Sequence, residues 1–382
     1  MYKLYGIPAS LWTGKARSYL RKQSIPFVEY GANHPDFLAK IVPAVGRWII
    51  PVVEMPDGEL VQDGADIIDH FESSDDKKFS VVPDSGVLRT LAYLFELFGG
   101  EGMLRPAMHF RWNFDEHNLD FLREDFSAGL ATAGASVGDA GAVFDNASGR
   151  MRKAAIGVGV TEDTIPLIEE SYAEFLALFS AHLSTHPYLL GDKPTVGDFG
   201  LIAPLFAHLG RDPFPTLQMR QKAPKVARWV ERMNAPEAKW IDHPESQGDI
   251  TPAAIPDTLK SLMRYVSEEY LPEIAAHVSF ANHWLSKNPD LKEGTNGLEN
   301  PAKRFIGLAD FTWRGTDIKT LVMPYRFYLL QRVQDSYDSC TAEERDALET
   351  IFAETGLSDL LTLKTLRRVE RKNYLEVWGP LR

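Results

Sequence analysis

The stretch Leu4-Tyr5-Gly6-Ile7-Pro8-Ala9-Ser10-Leu11-Trp12-Thr13-Gly14-Lys15-Ala16-Arg17 sets the reading of the N-terminal part of the chain. Tyr2 to Gly6 reads as a short strand. Ser10 can then cap a helix running to about Gln23, with Ala16, Tyr19 and Leu20 on one face. Pro26-Phe27-Val28-Glu29-Tyr30 reads as a second strand, and Asp36 to Ile41 as a short helix. Pro51-Val52-Val53-Glu54 and Glu59-Leu60-Val61-Gln62 flank Pro56-Asp57-Gly58, and Asp-Gly between strand-like runs signals a hairpin. Gly64 to Phe71 closes the unit as a helix with Ile67, Ile68 and Phe71 inward. The order is βαβα followed by ββα, and the acidic stretch Ser73 to Lys78 reads as a linker.

Beyond it the spacing turns helical. Val87 to Phe98 carries Leu88, Leu91, Leu94, Phe95 and Phe98 at helical intervals, and Thr161 to Leu183 repeats the pattern with Ile165, Ile168, Tyr172, Phe175, Phe179 and Leu183. The segment Ser127 to Gly149, rich in Gly, Ala and Ser, reads as irregular. Thr195-Val196-Gly197-Asp198 forms a capping box before an apolar run to Leu209, and Pro224 to Met233 adds a helix. From about residue 241 the character changes again. Asp257 to Ser286 reads as one long helix, and Arg304 to Met323 as two strand-like runs around Arg314-Gly315. Pro324 to Asp338 and Thr341 to Glu354 read as helices, the second continuing through Leu357 to Tyr374. These readings predict an α+β, helix-rich chain of three parts, 1–78, 79–240 and 241–382. The first is a βαβ-ββα unit, the second all-helical, and the third a mainly helical extension with a β-hairpin.

Composition narrows the function. The 382 residues include 41 Lys+Arg against 53 Asp+Glu, a net charge of −12. An acidic chain without a basic tract is a poor nucleic-acid binder, because phosphate neutralisation dominates that affinity. The single cysteine, Cys340, excludes an intrachain disulfide, a CxxC pair and a Cys-rich zinc site. The N-terminus has no basic region followed by an apolar one, and no apolar run approaches the roughly 20 residues needed to span a bilayer. The expectation is a cytoplasmic protein without a membrane segment.

Four motifs together resemble the glutathione S-transferase family. They are the opening stretch followed by Ser24-Ile25-Pro26-Phe27, then Ile50-Pro51-Val52-Val53, then Gln62-Asp63-Gly64-Ala65-Asp66-Ile67-Ile68, and Tyr188-Leu189-Leu190-Gly191-Asp192-Lys193-Pro194-Thr195-Val196-Gly197-Asp198-Phe199. They stand in order over residues 1 to about 235, and the remainder lies outside the common family pattern. The resemblance implies a thioredoxin-like, glutathione-binding first domain, a helical domain that shapes a second-substrate pocket, and a homodimer. It implies that Ser10, where a strand turns into a helix, donates to the glutathione thiolate. A hydroxyl and a helix N-terminus can together lower a thiol pKa. The alternatives are that Ser10 only caps the helix, or that Thr13 or Tyr5 supplies the hydroxyl. Pro51 would follow a cis bond, so that Ile50 pairs with glutathione like an added strand. Arg47 and Trp48 stand where the family contacts the glycyl carboxylate. Asp63 would hold the γ-glutamyl amine, and the following amides its carboxylate. Gly64 departs from the family by lacking a hydroxyl, and Asp63 read without the resemblance is an N-cap.

His109, Arg111 and Trp112 lie among aromatics and are candidates for receiving an anionic aromatic substrate; the bland reading is a packed helix end. Pro324 to Phe327 and Gln331-Arg332 in the extension are similar in character. Thr195 and Asp198 are read as structural. Gly134-Ala135-Ser136-Val137-Gly138 fits the GxSxG pattern but lacks a convincing strand before it. Gly157-Val158-Gly159 lacks a third glycine, and no metal-ligand spacing is present, so no metal is expected. The sequence therefore points to a glutathione transferase acting on a small electrophile. The alternative is a non-catalytic binding or scaffold protein on the same fold.

Overall fold

The computed structural model describes residues 1–382 except 133, 238–240, 244, 246 and 247. The first unit is a four-stranded mixed sheet in the order β2-β1-β3-β4. Its strands are β1 (Tyr2–Tyr5), β2 (Phe27–Tyr30), β3 (Val52–Glu54) and β4 (Leu60–Gln62). β1 runs parallel to β2 through the crossover helix α1 (Leu11–Lys22), and antiparallel to β3. After a π-helical turn at Phe37–Ile41 comes α2 (Val42–Val45), and α3 (Gly64–Glu72) follows β4. Ala16, Tyr19 and Leu20 of α1 and Ile67, Ile68 and Phe71 of α3 are buried.

Register explains why three loops meet. Tyr5 faces Val52, and Val52 faces Gln62. The chain leaving β1 toward Ser10, the chain entering β3 at Pro51 and the chain leaving β4 at Asp63 thus emerge at one end of the sheet.

The helical part contains α4 (Gly86–Leu97), α5 (Leu104–Trp112), α6 (Asp115–Leu130), α7 (Val137–Gly157), α8 (Ile165–His182), α9 (Val196–Ala207), α10 (Pro213–Lys222) and α11 (Pro224–Met233). The buried helix α9 packs on both α1 and α4. Gly200 permits the close approach to α4: a Cβ there would lie 2.5 Å from the Glu96 Cα. The α9 capping box forms as expected. Asp198 accepts from Thr195 N at 2.9 Å and also from Leu189 N at 3.0 Å.

The segment expected to be irregular is largely helical. Ser136 caps α7, accepting from Asp139 N at 3.2 Å. The alanines between the glycines keep the helix favourable, and exposed Gly costs only about 1 kcal/mol each. Ser136 is exposed at a helix start, not at the end of a buried strand; Ala133, just before that motif, lies outside the described residues.

The extension contains α12 (Asp257–Ser286), the hairpin β5 (Gly307–Trp313) and β6 (Thr316–Val322), α13 (Pro324–Asp338), α14 (Ala342–Glu354) and the hairpin β7 (Arg367–Lys372) and β8 (Leu375–Leu381). Residue 240, the expected boundary, lies outside the described residues. Arg314 and Gly315, with φ of 46° and 78°, make the two-residue turn expected between β5 and β6. The expected continuation of α14 through Tyr374 is not formed. After a 3-10 turn at Ser358–Leu361 the chain becomes the second hairpin, turning on Asn373 and Tyr374 at φ of 50° and 62°. Its strands are rich in charge and show no clear alternation. A side chain elsewhere holds them: Gln331 accepts from Val369 N at 2.8 Å and donates to Val369 O at 2.9 Å.

Candidate functional site

Ser10 is the N-cap of α1. Its Oγ accepts from Thr13 N at 3.3 Å, and among the described residues its own O–H has no acceptor. The turn before it is pinned from behind. Arg111 is buried and donates to Ala9 O at 2.8 Å, to Ala207 O at 2.6 Å and to both carboxylate oxygens of Asp212. This bidentate clamp fixes the backbone leading into Ser10. Thr13 Oγ1 is buried with no partner among the described residues, and Gly6 is close by. Tyr5 donates to Glu54 at 3.1 Å on the far side of the sheet, and its hydroxyl pKa is raised by burial first and Glu54 second.

The Ile50–Pro51 peptide bond is cis, and Ile50 is partly exposed. Asp63 N donates to Pro51 O at 3.2 Å, which joins this loop to the start of α3. Asp63 adopts φ 93° and ψ 143°, a conformation nearly reserved for glycine. A strained non-glycine residue held this firmly marks a place where side-chain position matters. Its Oδ1 accepts from Ala65 N at 2.9 Å and from the Tyr325 hydroxyl at 2.7 Å. Gly64 also has a steric reason: a Cβ would lie 3.1 Å from Lys15 Cδ and 3.3 Å from Trp12 O. Lys15 cannot retreat freely, because its ammonium is buried against Glu96 at 2.6 Å.

The partner of Asp63 belongs to the extension, and it is one of a series. Tyr325, Tyr328 and Arg332 on α13 donate to Asp63, Asp66 and Asp69, one pair per helical turn. Arg371 on β7 adds Asp66 at 3.0 Å and Gln62 Oε1 at 2.8 Å. Burial raises the Asp66 carboxyl to about 6, with Asp63 adding to the shift and Arg371 opposing it. Arg47 is buried under the second hairpin, donating to Tyr374 O at 2.7 Å and pairing with Glu376 at 3.4 Å. Trp48 is exposed and sits edge-on against Phe37. The first hairpin reaches the same region: Trp313 and Ile318 pack with Ile7, Ala9, Leu11, Met108 and Trp112.

Of the second-substrate candidates, Trp112 lies in that cluster, and Arg111 is fully engaged behind Ser10. His109 is buried and bonds Glu169 at 3.0 Å and Asn113 at 2.8 Å. Burial lowers its pKa, while Glu169 opposes the shift. Glu169 also borders an aromatic cavity of about 130 Å³ lined by Phe110, Phe114, Tyr172 and Phe214.

Tyr325 falls in the Pro324–Phe327 segment that the sequence singled out, whereas Arg371 and Glu376, also from the extension, were missed. Arg371 and Glu376 lie on the second hairpin, which the sequence reads as a helix through Tyr374, so nothing local marked them. Among the described residues no group of three or more His, Cys, Asp or Glu could hold a metal ion, and no helix is long and apolar enough to cross a membrane.

Two family models match the chain. The glutathione S-transferase N-terminal domain matches residues 4–79, and the glutathione S-transferase C-terminal domain matches residues 168–237. Similar solved structures include a glutathione transferase from Phanerochaete chrysosporium (16% identity, TM-score 0.44, covering 62% of this chain and 97% of that one). A β-etherase from Sphingobium sp. strain SYK-6 aligns at 18% identity and a TM-score of 0.42, covering 62% of this chain and 96% of that one. A glutathione S-transferase from Methylobacillus flagellatus KT, solved with glutathione bound, aligns at 14% identity and a TM-score of 0.36, covering 62% of this chain and 100% of that one. No curated protein sequence matches significantly.

Proposed function

Because the chain belongs to the glutathione S-transferase family and carries both its domains with a segment beyond them, we propose that it is a glutathione transferase using Ser10. The observation that carries this reading is the Ser10 hydroxyl, which caps α1 yet keeps its proton free of any acceptor among the described residues. A thiol placed there loses its proton to solvent. The thiolate is then stabilised by the Ser10 O–H and by the N-terminal end of α1. Lowering a thiol pKa by about two units takes roughly 2.7 kcal/mol, within reach of one charge-assisted hydrogen bond and a helix end. The sulfur attacks an electrophilic carbon, the S–C bond forms, and the leaving group departs with its electron pair. Conjugation, ether or halide displacement and isomerisation all start from this thiolate. In this reading Ile50 pairs with the cysteinyl backbone, and Asp63 holds the γ-glutamyl amine with Tyr325 fixing its carboxylate. Arg47, Trp48 and the amides from Gly64 onward complete the peptide site.

One observation favours the scaffold reading. Asp63 and Arg47 already have partners in the extension, Tyr325 and Glu376. Calorimetry with glutathione, followed by turnover of a generic aryl halide by wild type and Ser10→Ala, separates the two. The transferase reading expects binding, turnover, and a loss of about tenfold or more in Ser10→Ala at neutral pH. No binding at millimolar glutathione leaves the scaffold reading. Binding with turnover unchanged in Ser10→Ala removes Ser10 but keeps the enzyme.

A further inference from the structure

Arg304 lies in the segment entering β5 and is partly buried. Its guanidinium carbon sits 5.6 Å from the Trp12 ring centroid and 5.9 Å from that of Tyr325. Both rings belong to the site: Trp12 follows Ser10 by two residues, and the Tyr325 hydroxyl holds Asp63. Among the described residues Arg304 has no ion pair and no hydrogen bond. The carboxylates around it are committed elsewhere. Glu376 pairs with Arg47 and Arg371, Glu101 with Arg326, and Asp63 with Tyr325.

Two further donors here are also unsatisfied. Arg47 Nε and Trp12 Nε1 are buried with no partner among the described residues. Arg47 lies close enough for Arg304 to repel its charge. A guanidinium resting on aromatic faces keeps its in-plane N–H groups free for a planar acceptor. Buried donors without acceptors are costly unless something supplies the acceptors. A guanidinium that rests between the Trp12 and Tyr325 rings, next to the charge of Arg47, complements a carboxylate.

We infer that Arg304 receives one carboxylate of glutathione, so that the extension supplies part of the substrate site. The inference rests on the transferase reading above and adds a binding residue from outside both family domains. Arg304 makes no hydrogen bond among the described residues, so its replacement should spare folding.

The test is calorimetry on the full chain with glutathione and with glutathione monoethyl ester, whose glycyl carboxylate is masked. Arg304→Gln should weaken glutathione binding by about tenfold or more, with Arg304→Lys recovering part of it. The melting temperature should stay near wild type. Equal ester affinity in wild type and Arg304→Gln would assign the glycyl carboxylate, and a persisting deficit the γ-glutamyl one. Wild-type glutathione affinity in both Arg304→Gln and Arg304→Lys would overturn the inference while leaving the transferase reading standing. Failure of the wild type to bind glutathione would overturn that reading and this inference with it.

Discussion

Replacing Arg326 by methionine tests whether the extension is welded to the helical domain. Arg326 is about 1% exposed, on the first turn of α13 beside Tyr325. Its Nε donates to Glu101 at 3.1 Å, and its Nη1 bonds Glu273 and lies 3.2 Å from His277 Nδ1. Glu273 also accepts from Arg105 at 2.6 Å and from Thr320 at 3.1 Å. Burial alone would raise the Glu273 carboxyl, but Arg105, Arg326 and His277 together hold it well below the usual range. Glu101 has no such reserve: Arg326 is its only hydrogen-bond partner among the described residues, and burial raises its pKa despite that contact. Arg326→Met therefore strands Glu101 in the core. Breaking a buried pair from one side costs about 3–5 kcal/mol, most of it from the charge left behind. Adding Glu101→Gln removes that charge and should restore about half of the loss. Urea unfolding followed by tryptophan fluorescence reads both variants. A loss below about 1 kcal/mol in Arg326→Met, with no recovery in the double variant, would refute the claim that this network joins the extension to the body of the protein.

Two further variants follow from the same geometry. Gly64→Ser restores the residue type found at this place in the family, but its Cβ meets Lys15 Cδ and Trp12 O. It should cost about 1–3 kcal/mol in thermal or urea unfolding, and a more stable variant would contradict the crowding argument. His182 is buried between Thr258 Oγ1 at 2.9 Å and Leu189 O at 3.0 Å, and burial lowers its pKa to about 4. The unfolded chain protonates this group near 6.5 and the folded one does not, so stability is complete above 6.5 and falls as pH drops toward 4. The contribution is about 3 kcal/mol across that window. His182→Gln should flatten the wild-type pH dependence of unfolding by that order; superimposable slopes would show that His182 is not held neutral.

The N-terminal architecture was legible because local signals agree there. Ser10 marks a helix start, Asp57-Gly58 a hairpin, and Ile67, Ile68 and Phe71 an inward face. The capping box at Thr195 was equally local and formed as read. The errors came where local signals were weak. Glycines in 127–149 masked a helix that Ser136 caps, and the charged residues of 367–372 concealed a strand that pairs with β8 and is held by Gln331.

The sequence by itself determined the order of elements in the N-terminal unit, and the motifs that nominate Ser10, Pro51 and Asp63. Each of these depends on residues a few positions apart, whose backbone preferences are written locally. Only the tertiary structure decided what surrounds them. Arg111, readable as a substrate contact, is clamped by Asp212 behind the Ser10 turn. Asp63 receives its hydroxyl from Tyr325, 262 residues away, and Arg47 meets its counter-charge on β8. Such pairings depend on how helices and hairpins stack, and a charged residue carries no mark of which distant partner will neutralise it.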